Sequence, residues 1–382
     1  MTAPGDTIAE QLSTKIPIAV NLLWCVPGKV GGSEEYLVRQ MLGLAEVSSD
    51  VVPTLYALPG FAEAHPQLAA KFEIVVAPID GANRARRVIA ENRWLVARTR
   101  VGRLVHHGGG TVPNRGARPT VLTIHDLQYL EYPHYVSRLK LSYLRWAVPR
   151  SVARADVITV PTEFVRQTVI SAYGAAADRV VVVPHGLEPT IGTTATDEAM
   201  LRAKFGLGDG PIVVLPAVTH PHKGHLFLLE LMASRWTDPA LRLVLTGGKG
   251  AADDAVQNAV VRLGLGTRVV RTGRVSDADR DGLIRMALAM VFPSEYEGFG
   301  APVIEAMALG TPVVCADRAC LPEVASGAAL VLPLDLDAWA NALDVVAAQR
   351  AAIVVAGLER AQHFTSANSA HALRVAYGLA LA

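Results

Sequence analysis

Cysteine is scarce. The three present, Cys25, Cys315 and Cys320, are odd in number, scattered and without metal-ligand spacing, which argues against a disulfide framework or a zinc site and leaves them as small core residues. No window holds the roughly 18 uninterrupted apolar residues that a membrane span needs. The start, MTAPGDTIAEQLSTK, lacks the charged n-region and apolar h-region of a signal peptide, so the expected location is the cytoplasm. Short-period repeats and low-complexity tracts are also missing. Net charge is only +1, and no nucleic-acid partner is expected.

What is there suits a buried sheet. Half of the 382 residues are apolar and glycine and proline are plentiful, the profile of an α/β protein. The length predicts two domains. Apolar runs recur at intervals long enough for an intervening helix: PIAVNLLWC, VVPTLYAL, FEIVVAP, VGRLVHH, PTVLTIHD, ADVITVPT and RVVVVPHG. Such unalternated runs fit strands covered on both faces, hence a parallel sheet. A second series, GPIVVLPAV, LRLVLTGG, TRVVRTG, AMVFPS, TPVVCAD and AALVLPL, follows the polar stretch 186–210, which reads as an interdomain connection. The expected architecture is therefore two doubly wound, Rossmann-like domains facing across a cleft, at 1–188 and 209–363, with a C-terminal helix at 364–382 packing on the first. In open parallel sheets ligands bind beyond the carboxyl ends of the strands, so the cleft is the expected active site.

The segment SEYEGFGAPVIE carries two carboxylates, Glu297 and Glu305, on either side of a Gly298-Phe299-Gly300 turn. The glycines let the backbone turn and approach a ligand, and Pro302 suits the first helical positions. Amides of this turn can receive a phosphate, and a nearby carboxylate can accept the hydroxyls of a ribose. The competing reading makes Glu305 a complement to the helix dipole and Glu297 a solvated loop acid.

The full run EGFGAPVIEAMALGTPVV resembles the signature of glycosyltransferase family 4, retaining enzymes that use nucleotide sugars and have the two-domain GT-B fold. The resemblance implies that Glu305 binds the donor ribose and Glu297 the sugar ring, with Gly298, Phe299 and Gly300 lining the diphosphate and sugar pocket. LPAVTHPHKGH resembles the family's donor-phosphate segment, with Lys223 as the cation for the departing diphosphate. Where many members carry an Arg about six residues earlier, this chain has Ala217, Val218 and Thr219, so His222 or Arg274 is the expected assistant. PGKVGGSEEY places Gly31 and Gly32 where the family has its N-terminal glycine loop, with Ser33 as N-cap. TIHDLQYLEYP ends a strand with His125, which the resemblance puts beside the transferred sugar. Asp126 is either a base or the group that orients His125. TGRVSDADRDGLI resembles the loop that reads the nucleobase.

The implied activity is transfer of a hexose, with mannose from GDP-mannose as the reading, to a saccharide or lipid-linked acceptor without a cofactor. Rivals are a sugar-nucleotide epimerase, a glycan phosphorylase holding pyridoxal phosphate, and a noncatalytic sugar-nucleotide sensor. A metal reading rests on Asp277-Ala278-Asp279 and Asp335-Leu336-Asp337; both pairs precede apolar helical runs, so helix capping accounts for them and no metal is expected. Finally, residues 83–154 hold fourteen basic side chains against Glu91, Asp126 and Glu131. This stretch either lies on anionic membrane as basic amphipathic helices or packs normally with solvated arginine faces.

Overall fold

The computed structural model describes residues 15–28, 31–48, 50–101 and 104–382. Met1 to Thr14 of the opening segment, Lys29 and Val30 of the glycine loop, and Arg103 of the basic stretch lie outside the described residues. The first half contributes strands β1 (Ile16–Asn21), β2 (Val51–Ala57), β3 (Glu73–Val76), β4 (Leu104–His107), β5 (Thr120–Thr123), β6 (Val157–Val160) and β7 (Val180–Val182). The second contributes β8 (Ile212–Pro216), β9 (Arg242–Thr246), β10 (Val269–Gly273), β11 (Ala289–Phe292), β12 (Val313–Ala316) and β13 (Leu330–Leu332). Central strands β4, β5, β6, β11 and β12 are buried at every position, as runs covered on both faces by helices must be.

The sheet orders are β3-β2-β1-β4-β5-β6-β7 and β10-β9-β8-β11-β12-β13, and the pairs in both are parallel. Each is a doubly wound sheet whose order reverses once, between β1 and β4 and between β8 and β11. One core fills the second half; the first half has a larger and two smaller clusters.

Two local expectations change. The helix Gly32–Val47 begins ahead of Ser33: Gly31, at φ 76°, takes the cap position and no side chain caps the turn. Glycine reaches that conformation without steric cost, so the backbone alone starts the helix. The polar connection is also not plain linker. It contains the helix Glu198–Phe205, capped by Asp197 and tied to the helix Asp277–Met286 by Lys204 and Thr196, which reach Asp279 at 2.6 and 2.8 Å. The basic stretch becomes the helix Arg84–Ala90, a π-turn at Glu91–Leu95 and the helix Arg138–Arg154.

The final helix, Ser366–Leu381, returns to the first half and packs on Gly32–Val47, burying Ala370, Leu373, Ala376 and Tyr377 in that core. The two helices touch at Gly43, where an added Cβ would lie 2.2 Å from the Ser366 carbonyl oxygen. Two effects then compete in Gly43→Ala. Alanine gains about 1 kcal/mol of helix propensity, but pressing on backbone costs about 1–3 kcal/mol. Because Ser366 is itself held by its hydroxyl bond to the Leu187 carbonyl, at 2.8 Å, strain should win. A lower urea midpoint is expected; a higher one would show that the final helix slides freely.

Candidate active site

At the second sheet's switch point, adjacent β8 and β11 deliver their following loops to one place. After β8 the chain makes a short 3-10 turn, Pro221–Lys223, and Gly224 at φ 72° opens the helix His225–Ser234. A Cβ on Gly224 would meet the Pro293 carbonyl oxygen at 2.2 Å, so glycine is what lets this loop lie against the one after β11. The His222 carbonyl fixes the contact by accepting from the Glu295 amide at 2.8 Å. Lys223 and Glu297 are thereby brought together: Lys223 Nζ donates to Glu297 Oε1 at 2.6 Å, and Ser294 Oγ donates to the same oxygen at 2.6 Å. Glu297 Oε2 has no donor among the described residues.

The turn beyond Glu297 is pressed against the first half. A Cβ on Gly298 would stand 2.0 Å from the His125 carbonyl oxygen, and the Gly298 carbonyl accepts from Thr162 Oγ1 at 2.9 Å. Gly300, at φ 80°, caps the helix Ala301–Ala308. Phe299 is buried and stacks on His185, which stacks on Tyr36, each at 4.2 Å between ring centroids; Tyr36 in turn meets His125 edge-on. This aromatic column spans both halves.

Glu305 is 8 % exposed, and its Oε1 accepts from Arg39 Nη1 at 3.0 Å, across the gap. Burial alone would raise its pKa. The charges of Arg39 and Arg280 and the Arg39 hydrogen bond outweigh that and hold the carboxyl below its ordinary range. As with Glu297, the second oxygen has no donor among the described residues.

His125 Nε2 bonds the Gly108 carbonyl at 2.8 Å, which makes it the protonated nitrogen of the neutral ring, and Nδ1 is buried without a partner among the described residues. Burial lowers the pKa. Asp126 makes no hydrogen bond to this ring. It is exposed and accepts from the Gln128 amide, so Gly108, and not Asp126, orients His125. His222 is held at a pKa of about 4, first by burial and then by Lys223, so its ring is neutral at neutral pH and supplies no standing positive charge. Arg274 crosses the gap to the Gly28 carbonyl at 3.1 Å. Gly31 and Gly32 face open space.

The Asp-x-Asp carboxylates all have intramolecular partners. Asp335 caps its helix through the Asp337 and Ala338 amides, and Asp337 pairs with Arg235. Asp277 pairs with Arg280, while Ser276 does the capping there and Asp279 holds Thr196 and Lys204. Among the described residues no acid, histidine and cysteine cluster has metal-site geometry.

Arg39, His185, Thr162 and Ser294 escaped the sequence reading. Arg39 sits mid-helix with no motif around it, and no local signal in the sequence marks it.

Residues 30–191 match the family model described as Glycosyltransferase Family 4, and residues 197–363 the one described as Glycosyl transferases group 1. The chain is 31 % identical over 242 residues to O-antigen chain mannosyltransferase B of Escherichia coli, covering 61 % of this chain and 62 % of that protein. It is 33 % identical over 239 residues to D-inositol 3-phosphate glycosyltransferase of Mycolicibacterium smegmatis, covering 60 % and 54 %. Each match thus spans less than two thirds of the relative's length. In shape the chain is similar to Anabaena HepE in complex with UDP-glucose, with a TM-score of 0.76, 22 % identity and 95 % and 99 % of the two chains covered. Sucrose-phosphate synthase from Thermosynechococcus elongatus gives a TM-score of 0.73 at 21 % identity, covering 95 % and 98 %. At these identities the likeness to both structures is one of fold.

Arg39→Met should lower the melting temperature at pH 7, where it leaves a buried carboxylate short of its nearest cation, a change that costs up to about 3–5 kcal/mol. The Glu305 pKa is depressed in the folded state, so the stabilisation is complete above the ordinary carboxylate range and disappears as pH falls through the folded pKa. The wild-type advantage should therefore shrink in acid, below about pH 4. An advantage of equal size at pH 7 and in acid would mean that Arg39 acts by packing alone.

Proposed function

Because the chain belongs to glycosyltransferase family 4, its halves matching the two family models and folded as the paired sheets of the GT-B architecture, we propose that it transfers a hexose from a nucleotide diphosphate sugar to an acceptor hydroxyl. Configuration is retained and no metal ion takes part. The observation that carries this reading is the meeting of Lys223 and Glu297 at the β8/β11 switch point, one residue from the turn that touches His125.

The diphosphate lies by Lys223 and the amides of 298–301 at the start of the helix Ala301–Ala308, where a cation and oriented dipoles favour the charge that develops on the leaving group. Glu305 accepts a ribose hydroxyl on the oxygen that Arg39 leaves free, and Glu297 likewise accepts from the sugar ring. Arg274, already at the gap, assists with the phosphate charge; neutral His222 offers a hydrogen bond. His125 faces the transferred sugar from the first half.

In the transfer the bond from the anomeric carbon to the phosphate oxygen breaks and the acceptor oxygen bonds the same face. The acceptor proton passes to the departing phosphate oxygen, so the protein positions two substrates and stabilises charge. Metal independence is supported by the use of every Asp-x-Asp carboxylate at helix ends and in ion pairs.

Mannose from GDP-mannose is the donor favoured by TIHDLQYLEYP and PHKGH and by the name of the E. coli relative. No helix among the described residues is long and apolar enough to cross a membrane. The helix Arg138–Arg154 exposes Leu139 and Trp146 beside Arg138, Arg145 and Arg150, which favours peripheral contact with anionic lipid on the cytoplasmic side, where a lipid-linked acceptor is met.

A thermal-shift panel of nucleotides and sugar nucleotides identifies the donor, and products are then followed with and without acceptors. Lys223→Gln is expected to keep nucleotide binding and lose roughly 10²-fold in turnover; near-normal turnover removes it from the site. Glu305→Gln should weaken donor binding instead. Product without acceptor would favour an epimerase, binding without turnover a sensor, and a yellow pyridoxal chromophore a phosphorylase.

A further inference from the structure

The largest cluster of cations that the transfer chemistry leaves unused lines a cavity of about 340 Å³ in the first half, between the helix Arg84–Ala90 with its π-turn and the helix Arg138–Arg154. Arg84, Arg87 and Lys140 all face it, and among the described residues none of the three is in an ion pair. Arg87 donates through Nη1 to the Trp24 carbonyl at 2.8 Å, while its Nε is buried without a partner. The Arg84 guanidinium lies 5.0 Å over the Tyr143 ring. Desolvation, and then the charge of Arg84, hold the Lys140 ammonium below the ordinary lysine range.

Two acids share the cavity; among the described residues neither forms an ion pair with these cations, although Glu91 attracts Arg87 and Arg84 and Asp126 attracts Lys140. Burial pushes the Glu91 carboxyl up to about 7, and its oxygen accepts from Asn21 Nδ2 at 3.3 Å. Asp126 spends an oxygen on the Gln128 amide. Three cations line one concave surface and outnumber its two acids, and an anion among them relieves the remaining repulsion. Elsewhere in the same basic stretch Arg98 and Arg150 stack on Trp94 and Trp146 without lining this cavity.

The cavity adjoins the proposed donor site at His125. His125 lines it, and the His125 carbonyl is the atom against which Gly298 is pressed. Three converging donors also suit a tetrahedral dianion better than a carboxylate, which has fewer oxygens and one charge.

Resting on the transferase reading, we propose that this pocket receives the acceptor through a phosphoryl group held by Arg84, Arg87 and Lys140, with the acceptor's sugar or polyol end directed past His125 toward the donor. The phosphoryl belongs either to a soluble phosphate ester or to a lipid-linked phosphate, and the binding test separates these sources.

Calorimetry on the full chain, with and without saturating UDP or GDP, compares hexose phosphates and inositol phosphates with their unphosphorylated counterparts. A parallel arm uses phosphatidylcholine vesicles with and without polyprenyl phosphate. Phosphorylated probes should bind at least about tenfold more tightly than neutral ones, what loss of a charge-assisted hydrogen bond typically costs. Preference in solution identifies a soluble ester; preference on vesicles alone identifies the lipid-linked form. Arg84→Gln with Lys140→Gln, checked for an unchanged melting temperature beside the single Lys140→Gln, should abolish the preference and leave nucleotide binding intact. Arg93→Gln with Arg98→Gln, at exposed positions outside the cavity and outside the helix Arg138–Arg154, should preserve it. Equal binding of phosphorylated and neutral probes in both arms, or equal effects of the two double variants, overturns the proposal. Failure of every nucleotide to bind sinks the transferase reading instead, since the titrations without nucleotide still report the pocket's preference.

Discussion

A carboxylate taken out of water must find positive charge, and Glu305 finds it in the opposite half of the molecule. Arg39 is carried there by the helix Gly32–Val47, so the surroundings of Glu305 include a residue that its own sheet does not supply. Other links across the gap follow the same logic of mutual completion. The Glu323 carboxylate accepts from the Glu163 and Phe164 amides at the start of a first-half helix, Tyr135 donates to Glu295, and Thr162 donates to the Gly298 carbonyl. Each places an otherwise unsatisfied polar group of one half against a partner in the other.

The two halves follow one topological rule and put different chemistry at its focus. In the second sheet the switch point gathers a lysine, two glutamates and a glycine turn, groups of the kind that can hold phosphates and hydroxyls. In the first it gathers aromatic rings, a neutral histidine and, nearby, cations that form no ion pair among the described residues. The Lys223–Glu297 pair is an economical way to hold both charges in a site of low exposure, since each would be costly alone. In both Glu297 and Glu305 one carboxylate oxygen serves the protein and the other is left over, so each acid is held in place without being used up.

Much of this was legible in the sequence. Strands buried on both faces announce themselves as unbroken Val, Ile and Leu runs, and the Gly298-Phe299-Gly300 turn with its two acids is a local pattern, readable because its parts are neighbours in the chain. Arg39 was not legible, because it stands 266 positions from Glu305 and nothing in the intervening chain signals the contact. His185 and Phe299 meet by the same kind of long-range placement. Ser33 misled for a local reason: a hydroxyl at a helix start is a common cap, but glycines just before it let the backbone begin the turn sooner. Asp126 looked like a functional partner of His125 because they are adjacent, yet successive residues at a strand end point different ways.

The chain passes between the halves twice, and the two passages run side by side. At Leu187 and Thr365 they form a β-bridge, reinforced where the Leu187 amide meets the Phe364 carbonyl at 2.6 Å and where the Ser366 hydroxyl meets the Leu187 carbonyl. One covalent thread would allow the halves to swivel and slide in any direction. A bonded pair of threads resists torsion better than one would, so the connection itself favours bending over twisting as the softer relative displacement and helps hold Glu305 in register with Arg39.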